Sequence, residues 1–224
     1  RYKKTMTMHT FNVHGEENDS KIFIGESLKN VNKYIPTDKT VIITDVNVDR
    51  LYGHAFPDYP KIIIGTGEKV KNLQTIEYIA GKLLDFETDR DSYILAIGGG
   101  IVCDIAGFVA SVYLRGIRFG FVSSTLLSQV DASVGGKNGV NLKGYKNLIG
   151  VFNQPDFVIC DTEMLETLHA KDIACGFAEI VKHTLIADRS MFEFIEKHTD
   201  EMKKLNNEVI SKLVVFEQAC KLDG

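Results

Sequence analysis

Three stretches of the chain concentrate residues that can do chemistry. DASVGGKNGVN, residues 131–141, sets Asp131 and Lys137 among three glycines and two amides. Glycine permits backbone conformations and close approaches closed to other residues. Such a stretch can press main chain against a ligand while the carboxylate and ammonium make polar contacts; an ordinary polar loop is the plainer alternative. AIGGGIVCDIAGF, residues 96–108, leaves an apolar run through Gly98, Gly99 and Gly100 and enters a helix-like segment containing Asp104. Glycines at a strand exit before a helix N-terminus suit a pyrophosphate, although G-x-G-x-x-G spacing is absent and a simple turn has the same composition. In GFAEIVKH, residues 176–183, a helix would place Glu179, Lys182 and His183 at i, i+3 and i+4. That face can hold a metal carboxylate beside a cation, or be an exposed ion pair. Glu179 and His183 alone do not complete a zinc site.

The elements that must position these residues are legible in the apolar pattern. TVIITDV (40–46), KIIIGT (61–66), SYILAIGGG (92–100) and RFGFVSS (118–124) are short, rich in Ile and Val, and bounded by Gly, Ser, Thr or Asp, as buried strands are. Between the second and third, Leu73, Ile76, Ile79, Ala80 and Leu83 fall on one helical stripe. Strand, helix, strand implies a parallel sheet with right-handed crossovers. Ligands on such sheets bind beyond the carboxyl ends of the strands. There Asp45 can accept from a ribose hydroxyl or cap the next helix, and Glu68 and Lys71 open a third exit. From about Thr167 the pattern turns helical, in 171–187, 190–198 and 206–222. The expected architecture is an α/β nucleotide-binding, Rossmann-like domain over 1–168, followed over 169–224 by the first part of a helical domain.

Composition narrows the partners. With 224 residues, 44% of them hydrophobic, the chain can bury a substantial core. A net charge of -4 gives no general basic footprint for nucleic acid or an anionic membrane, so any anion must be bound locally. No apolar run is long enough to span a bilayer, and the first residues lack a signal-peptide core, so a cytoplasmic address is expected. Cys103, Cys160, Cys175 and Cys220 form no C-x-x-C pair and are expected to be buried, reduced thiols. The sequence does not begin with Met and stops in KLDG, so it is expected to be a piece of a longer chain.

GGGIVCDIAGFVASVYLRGIRFGFVSSTLLSQVDASVGGKNGVN, then YKNLIGVFNQP, then CGFAEIVKH resemble, in order and nearly without a break, the 3-dehydroquinate synthase family. The resemblance is dense from about Ile94 to Phe192. It implies the fold of that family, with an NAD-binding α/β domain joined to a helical domain, a homodimer, bound NAD and a divalent metal, zinc or cobalt. The reaction it implies converts 3-deoxy-D-arabino-heptulosonate 7-phosphate to 3-dehydroquinate and phosphate. Residue by residue, it assigns Asp45, Glu68, Lys71, Gly99, Gly100, Asp104, Ser124, Thr125 and Thr167 to NAD, and Glu179 to the metal. It assigns Asp131, Lys137, Lys146, Asn147 and Lys182 to the substrate pocket, with Lys137 and Lys146 also near the nicotinamide. Arg115 is implied to reach the substrate phosphate in the neighbouring subunit.

The chain also departs from the family pattern. Ser123 and Ser124 replace a usual Pro-Thr, Ala132 a Ser, Asn138 a Thr, Tyr145 a Gly and His169 a Pro. The family's two metal-binding histidines, in a GHT-x-GHA-like segment, do not occur before Gly224. The 224 residues alone are therefore expected to bind NAD without turnover. Two alternatives stand beside this reading. One is a sister sugar phosphate cyclase of the 2-deoxy-scyllo-inosose synthase or sedoheptulose 7-phosphate cyclase type; the other is a non-catalytic NAD-binding fragment.

Overall fold

In the computed structural model, which describes residues 8–14, 18–132 and 135–222, the Ile- and Val-rich runs form the centre of a seven-stranded sheet. In chain order the first elements are β1 (His9–Val13), β2 (Ser20–Ile24), β3 (Thr40–Asp45), α1 (Val46–Tyr52), β4 (Lys61–Ile64), α2 (Leu73–Asp85), β5 (Tyr93–Gly98) and α3 (Gly100–Val112). There follow β6 (Arg118–Ser123), β7 (Lys137–Leu142), β8 (Tyr145–Phe152), β9 (Phe157–Cys160), α4 (Ala170–Ala187), α5 (Arg189–Lys197), α6 (Thr199–Lys203) and α7 (Asn207–Leu222). The sheet order is β1-β2-β9-β6-β5-β3-β4, and every pairing is parallel except β1 with β2. All six residues of β5 are buried, as expected of a central strand covered on both faces.

From β3 the chain crosses to β4 on one side, and from β5 it crosses to β6 on the other. The carboxyl ends of β3 and β5 therefore flank the switch point of this Rossmann-like sheet, where open α/β sheets bind ligands. Helix α3 starts there. Val102, Cys103, Ile105, Ala106, Phe108, Val109 and Ala110 are all buried, which a helix can afford only when covered on nearly every side. One cover is the sheet; the other is the separate β7–β8 hairpin.

That hairpin sets aside the plainer alternative of an ordinary polar loop from Lys137 onward. Ser128–Ala132 is a single π-type turn, and β7 begins at Lys137; Ser133 and Val134 lie outside the described residues. Gly139 faces Gly150 across the ladder, where a Cβ on Gly139 would stand 2.6 Å from the Ile149 carbonyl oxygen. This glycine serves strand packing, and its backbone also lines a hollow. The strand expected over 92–100 ends at Gly98, because the next glycines already open α3.

The cysteine expectation holds for two of four residues. Cys103 and Cys160 are buried and burial pushes their thiols up, Cys160 to about 12. Cys175 is exposed and Cys220 intermediate, so burial does not describe them. Among the described residues, no helix is long and apolar enough to cross a membrane.

Two substitutions separate these roles of glycine. Gly81 lies inside α2 with nothing within 4 Å of an added Cβ. Gly81→Ala should therefore raise stability by about 0.5–1 kcal/mol. Gly139→Val should lower it by about 1–3 kcal/mol through crowding of Ile149. Urea midpoints measure both, and a neutral Gly139→Val would refute the packing role.

Candidate functional site

Two hollows meet at the strand exits. The first, of about 500 Å³, is lined by Asp45, Glu68, Gly99, Gly100, Ser124, Thr125 and Thr167, among others. Asp45 ends β3 and caps α1, its Oδ1 accepting from the Asn47 and Val48 amides at 2.8 and 3.0 Å. Capping and ligand binding are compatible, since only one carboxylate oxygen is so engaged. Gly99 is the N-cap of α3 and offers no side chain to the first amides of that helix. A Cβ there would stand 3.0 Å from Thr125 Cγ2. Among the described residues, Ser124 Oγ is buried without a hydrogen-bond partner. Open helix amides, a cradle that a side chain would fill and an orphaned hydroxyl are what a dinucleotide's phosphates and sugars need. Thr167 Oγ1 lies 2.7 Å from the Tyr52 hydroxyl, which donates to the Met164 carbonyl at 3.0 Å. Burial raises the Tyr52 pKa. Tyr52 also lines the hollow, and no sequence motif marked it.

The second hollow, of about 850 Å³, collects Asp104, Asp131, Lys137, Asn147, Glu179, Lys182 and His183. Glu179, Lys182 and His183 share one face of α4, as their spacing requires. Lys182 pairs with the Glu179 carboxylate, which raises the lysine pKa. His183 Nε2 lies 3.3 Å from Glu179 Oε1, and its Nδ1 contacts the carboxylate of Glu217 on α7. Among the described residues, no three His, Cys, Asp or Glu side chains are grouped to hold a metal ion. A carboxylate beside an imidazole suits zinc-class chemistry, but further ligands are needed to complete the shell. The hollow mixes carboxylates, ammonium groups, an amide and an imidazole, a set that can neutralise an anionic ligand and hydrogen-bond its hydroxyls at once.

A chain of polar contacts runs from one hollow to the other. Glu68 Oε1 accepts from Asn141 Nδ2 at 2.7 Å, and Asn141 Oδ1 accepts from the Asn147 amide at 2.8 Å. Lys71 Nζ donates to Asn147 Oδ1 at 2.5 Å and pairs with the Asp104 carboxylate. Lys71 is only 5% exposed, so it braces Asp104 and Asn147, both in the lining of the larger hollow, rather than being displayed there. Asn147 has φ 52°, a left-handed conformation that asparagine tolerates better than most residues. Asn141, in the sequence only one amide of a polar stretch, is the link that ties the hairpin to Glu68.

Two expected residues stand apart. Lys146 is exposed on the hairpin and lines neither hollow. Arg115 lines a third hollow, of about 530 Å³, with Arg90, Arg118 and Asn153. It follows Leu114 through a left-handed bend, φ 51° and 70°, which turns the chain between α3 and β6.

Residues 61–175 match the family model described as 3-dehydroquinate synthase N-terminal. The chain is 38% identical over 215 residues to the 3-dehydroquinate synthase of Alkaliphilus metalliredigens (strain QYMF), covering 92% of this chain and 60% of that protein. It is 41% identical over 214 residues to that of Thermoanaerobacter pseudethanolicus (strain ATCC 33223 / 39E), covering 92% and 59%. The chain thus spans about 60% of the length of these relatives. A solved 2-deoxy-scyllo-inosose synthase, complexed with carbaglucose-6-phosphate, NAD+ and Co2+, superposes with a TM-score of 0.84 at 26% identity, covering 96% of this chain and 62% of that one.

The Lys71–Asp104 pair generates a pH prediction. Burial raises Asp104 from its ordinary 3.8 to about 6, with Lys71 pulling the other way. The folded state then binds more protons than the unfolded chain between those values, so this group lowers stability as pH rises from 3.8 to about 6 and leaves it lowered above. Asp104→Asn should remove that decline, changing the stability difference between pH 4 and 7 by roughly 1–3 kcal/mol. Urea unfolding of both proteins across this range measures it, and identical pH slopes would refute the assignment.

Proposed function

This chain belongs to the 3-dehydroquinate synthase family, and from that premise we propose that it is part of a cytoplasmic 3-dehydroquinate synthase, an NAD- and metal-dependent lyase of the shikimate pathway. Its substrate is 3-deoxy-D-arabino-heptulosonate 7-phosphate, and its products are 3-dehydroquinate and phosphate. The observation that carries this reading is the meeting of Asp131, Lys137, Asn147, Glu179 and Lys182 in one hollow, linked through Asn141 to Glu68 of a second hollow shaped for a dinucleotide. Residues 1–168 form the NAD-binding domain, and 169–224 begin the helical domain.

NAD and zinc or cobalt, when bound, supply removal and return of a hydride at a secondary alcohol and polarisation of that alcohol. Asp45, Glu68, Gly99, Gly100, Ser124, Thr125 and Thr167 hold the cofactor in the first hollow, and Lys71 and Asp104 fix the wall nearest the reacting end. Glu179 is the metal ligand from this segment. Lys137 and Lys182 compensate the substrate carboxylate and phosphate and orient the reacting carbon. Asp131 and Asn147 hold hydroxyls, and Asp131 can relay a proton between them. Lys146, exposed on the hairpin, is assigned to the substrate by the family pattern alone. Once phosphate has left by elimination, ring opening and intramolecular aldol closure need a shaped, water-poor pocket more than additional acids and bases.

The working protein is a homodimer in which Arg115 serves the partner's substrate phosphate. The placement of Arg115 outside its own chain's polar hollow supports this. So do the exposed Tyr145, Leu148 and Phe152 on β8, since Phe152 borders both the polar hollow and the third hollow that Arg115 lines. The similarity to 2-deoxy-scyllo-inosose synthase favours one second reading, a sister cyclase acting on another sugar phosphate.

The full-length protein should release phosphate from 3-deoxy-D-arabino-heptulosonate 7-phosphate in preference to sedoheptulose 7-phosphate or glucose 6-phosphate, and a chelator should abolish the release. Glu179→Gln should lose on the order of 100-fold or more in turnover. Preference for another sugar phosphate would shift the reading to a sister cyclase, and no turnover would leave a non-catalytic binding protein. Mixing Arg115→Ala with Glu179→Gln subunits, each nearly inactive, should restore about a quarter of wild-type activity, because a heterodimer regains one intact site in two. No restoration would mean that Arg115 serves its own subunit or none.

A further inference from the structure

Two adjacent side chains of α7 reach both polar walls of the larger hollow. Neighbouring residues on a helix point about 100° apart, so one helix can grip two surfaces at once. Glu217 is fully buried, and its carboxylate contacts His183 Nδ1. The other nitrogen of that imidazole lies 3.3 Å from Glu179 Oε1. Gln218 is also fully buried, and its side-chain amide donates to the Gln129 carbonyl at 2.6 Å. Gln129 belongs to the π-type turn that carries Asp131, and its own amide donates to the Ser123 and Asp161 carbonyls at 3.0 and 2.9 Å. A helix docked by packing alone would bury apolar residues, as α7 does with Leu213 and Val214. Burying a carboxylate and an amide is unfavourable unless each is paired; the pairings made lead to His183 and to the Asp131 turn, while Gln218 Oε1 stays buried without a hydrogen-bond partner among the described residues.

We propose that Glu217 and Gln218 are positioning residues: Glu217 orients Glu179 through His183, Gln218 holds the Asp131 turn through Gln129, and α7 thereby sets the two walls against each other. This rests on the reading of Glu179 as a metal ligand and Asp131 as a substrate contact. Partners of this kind fix the direction in which a ligating carboxylate presents its lone pairs.

The test uses full-length protein, with Co2+ alone as the metal probe followed by visible absorption, and steady-state kinetics beside it. Glu217→Gln should weaken Co2+ binding about 10–100-fold and change the absorption band. His183→Asn should do the same, and the double variant should be no weaker than the weaker single, because both act along one path. Glu217→Asp, which keeps the charge one methylene short, should lose less. Gln218→Met should raise KM about tenfold through Asp131 while leaving Co2+ affinity unchanged. Additive losses in the double variant, Co2+ affinity within twofold of wild type in Glu217→Gln, or an unchanged KM in Gln218→Met would overturn the proposal. A wild-type protein that neither binds Co2+ nor releases phosphate would remove the functional reading and this proposal together; a normal wild type with an unaffected Glu217→Gln removes this one alone.

Discussion

The buried ammonium of Lys71 is the constraint around which the site is built. A lysine this deeply placed requires a carboxylate and further hydrogen-bond acceptors, because an unpaired charge in the interior is strongly unfavourable. Asp104 on α3 supplies the carboxylate, and Asn147 on the hairpin supplies the amide oxygen. Three separately folded pieces, the exit loop after β4, the buried helix and the β7–β8 hairpin, are thereby brought to one point. Asp104 and Asn147 both line the polar hollow, and Asn141 links Asn147 to Glu68 in the hollow suited to a dinucleotide.

The same need for compensation organises the helical part. Glu179, Lys182 and His183 share a face of α4, and Glu217 meets His183 from α7. Mixed charge makes the hollow selective, because a ligand must carry both anionic groups and hydroxyls to satisfy it. The apolar residues of α7 carry the packing and its adjacent polar pair carries the geometry. That division lets the helix dock firmly without leaving its polar atoms to solvent.

The first hollow owes its shape to absences. Gly99 leaves the first amides of α3 without a side-chain cap, and Ser124 buries a hydroxyl without a hydrogen-bond partner among the described residues. Both features are unfavourable in an isolated fold and become favourable once phosphates and sugar hydroxyls occupy the space. They follow the general logic by which binding sites forgo local stability for a surface that only a ligand completes.

Much of this was legible in the chain itself. The four Ile- and Val-rich runs became β3 to β6, because β-branched residues on a doubly covered sheet leave a continuous apolar signal. The i, i+3, i+4 spacing placed Glu179, Lys182 and His183 together, since helical periodicity is local geometry. The family resemblance extended this to the strand exits. Other features were not legible. The hairpin was hidden because Gly139 and Gly150 carry no strand preference and are chosen for cross-strand contact. The separation of Arg115 from the polar hollow, the exposure of Cys175 and the contact of His183 with Glu217, 34 residues away, depend on which surfaces pack together. The sequence by itself determined the local elements and the chemical types at the strand exits, because both arise from neighbours along the chain. Only the tertiary structure decided which of those groups share a hollow, because burying Lys71 and Glu217 needs partners that the chain can supply only from a distance.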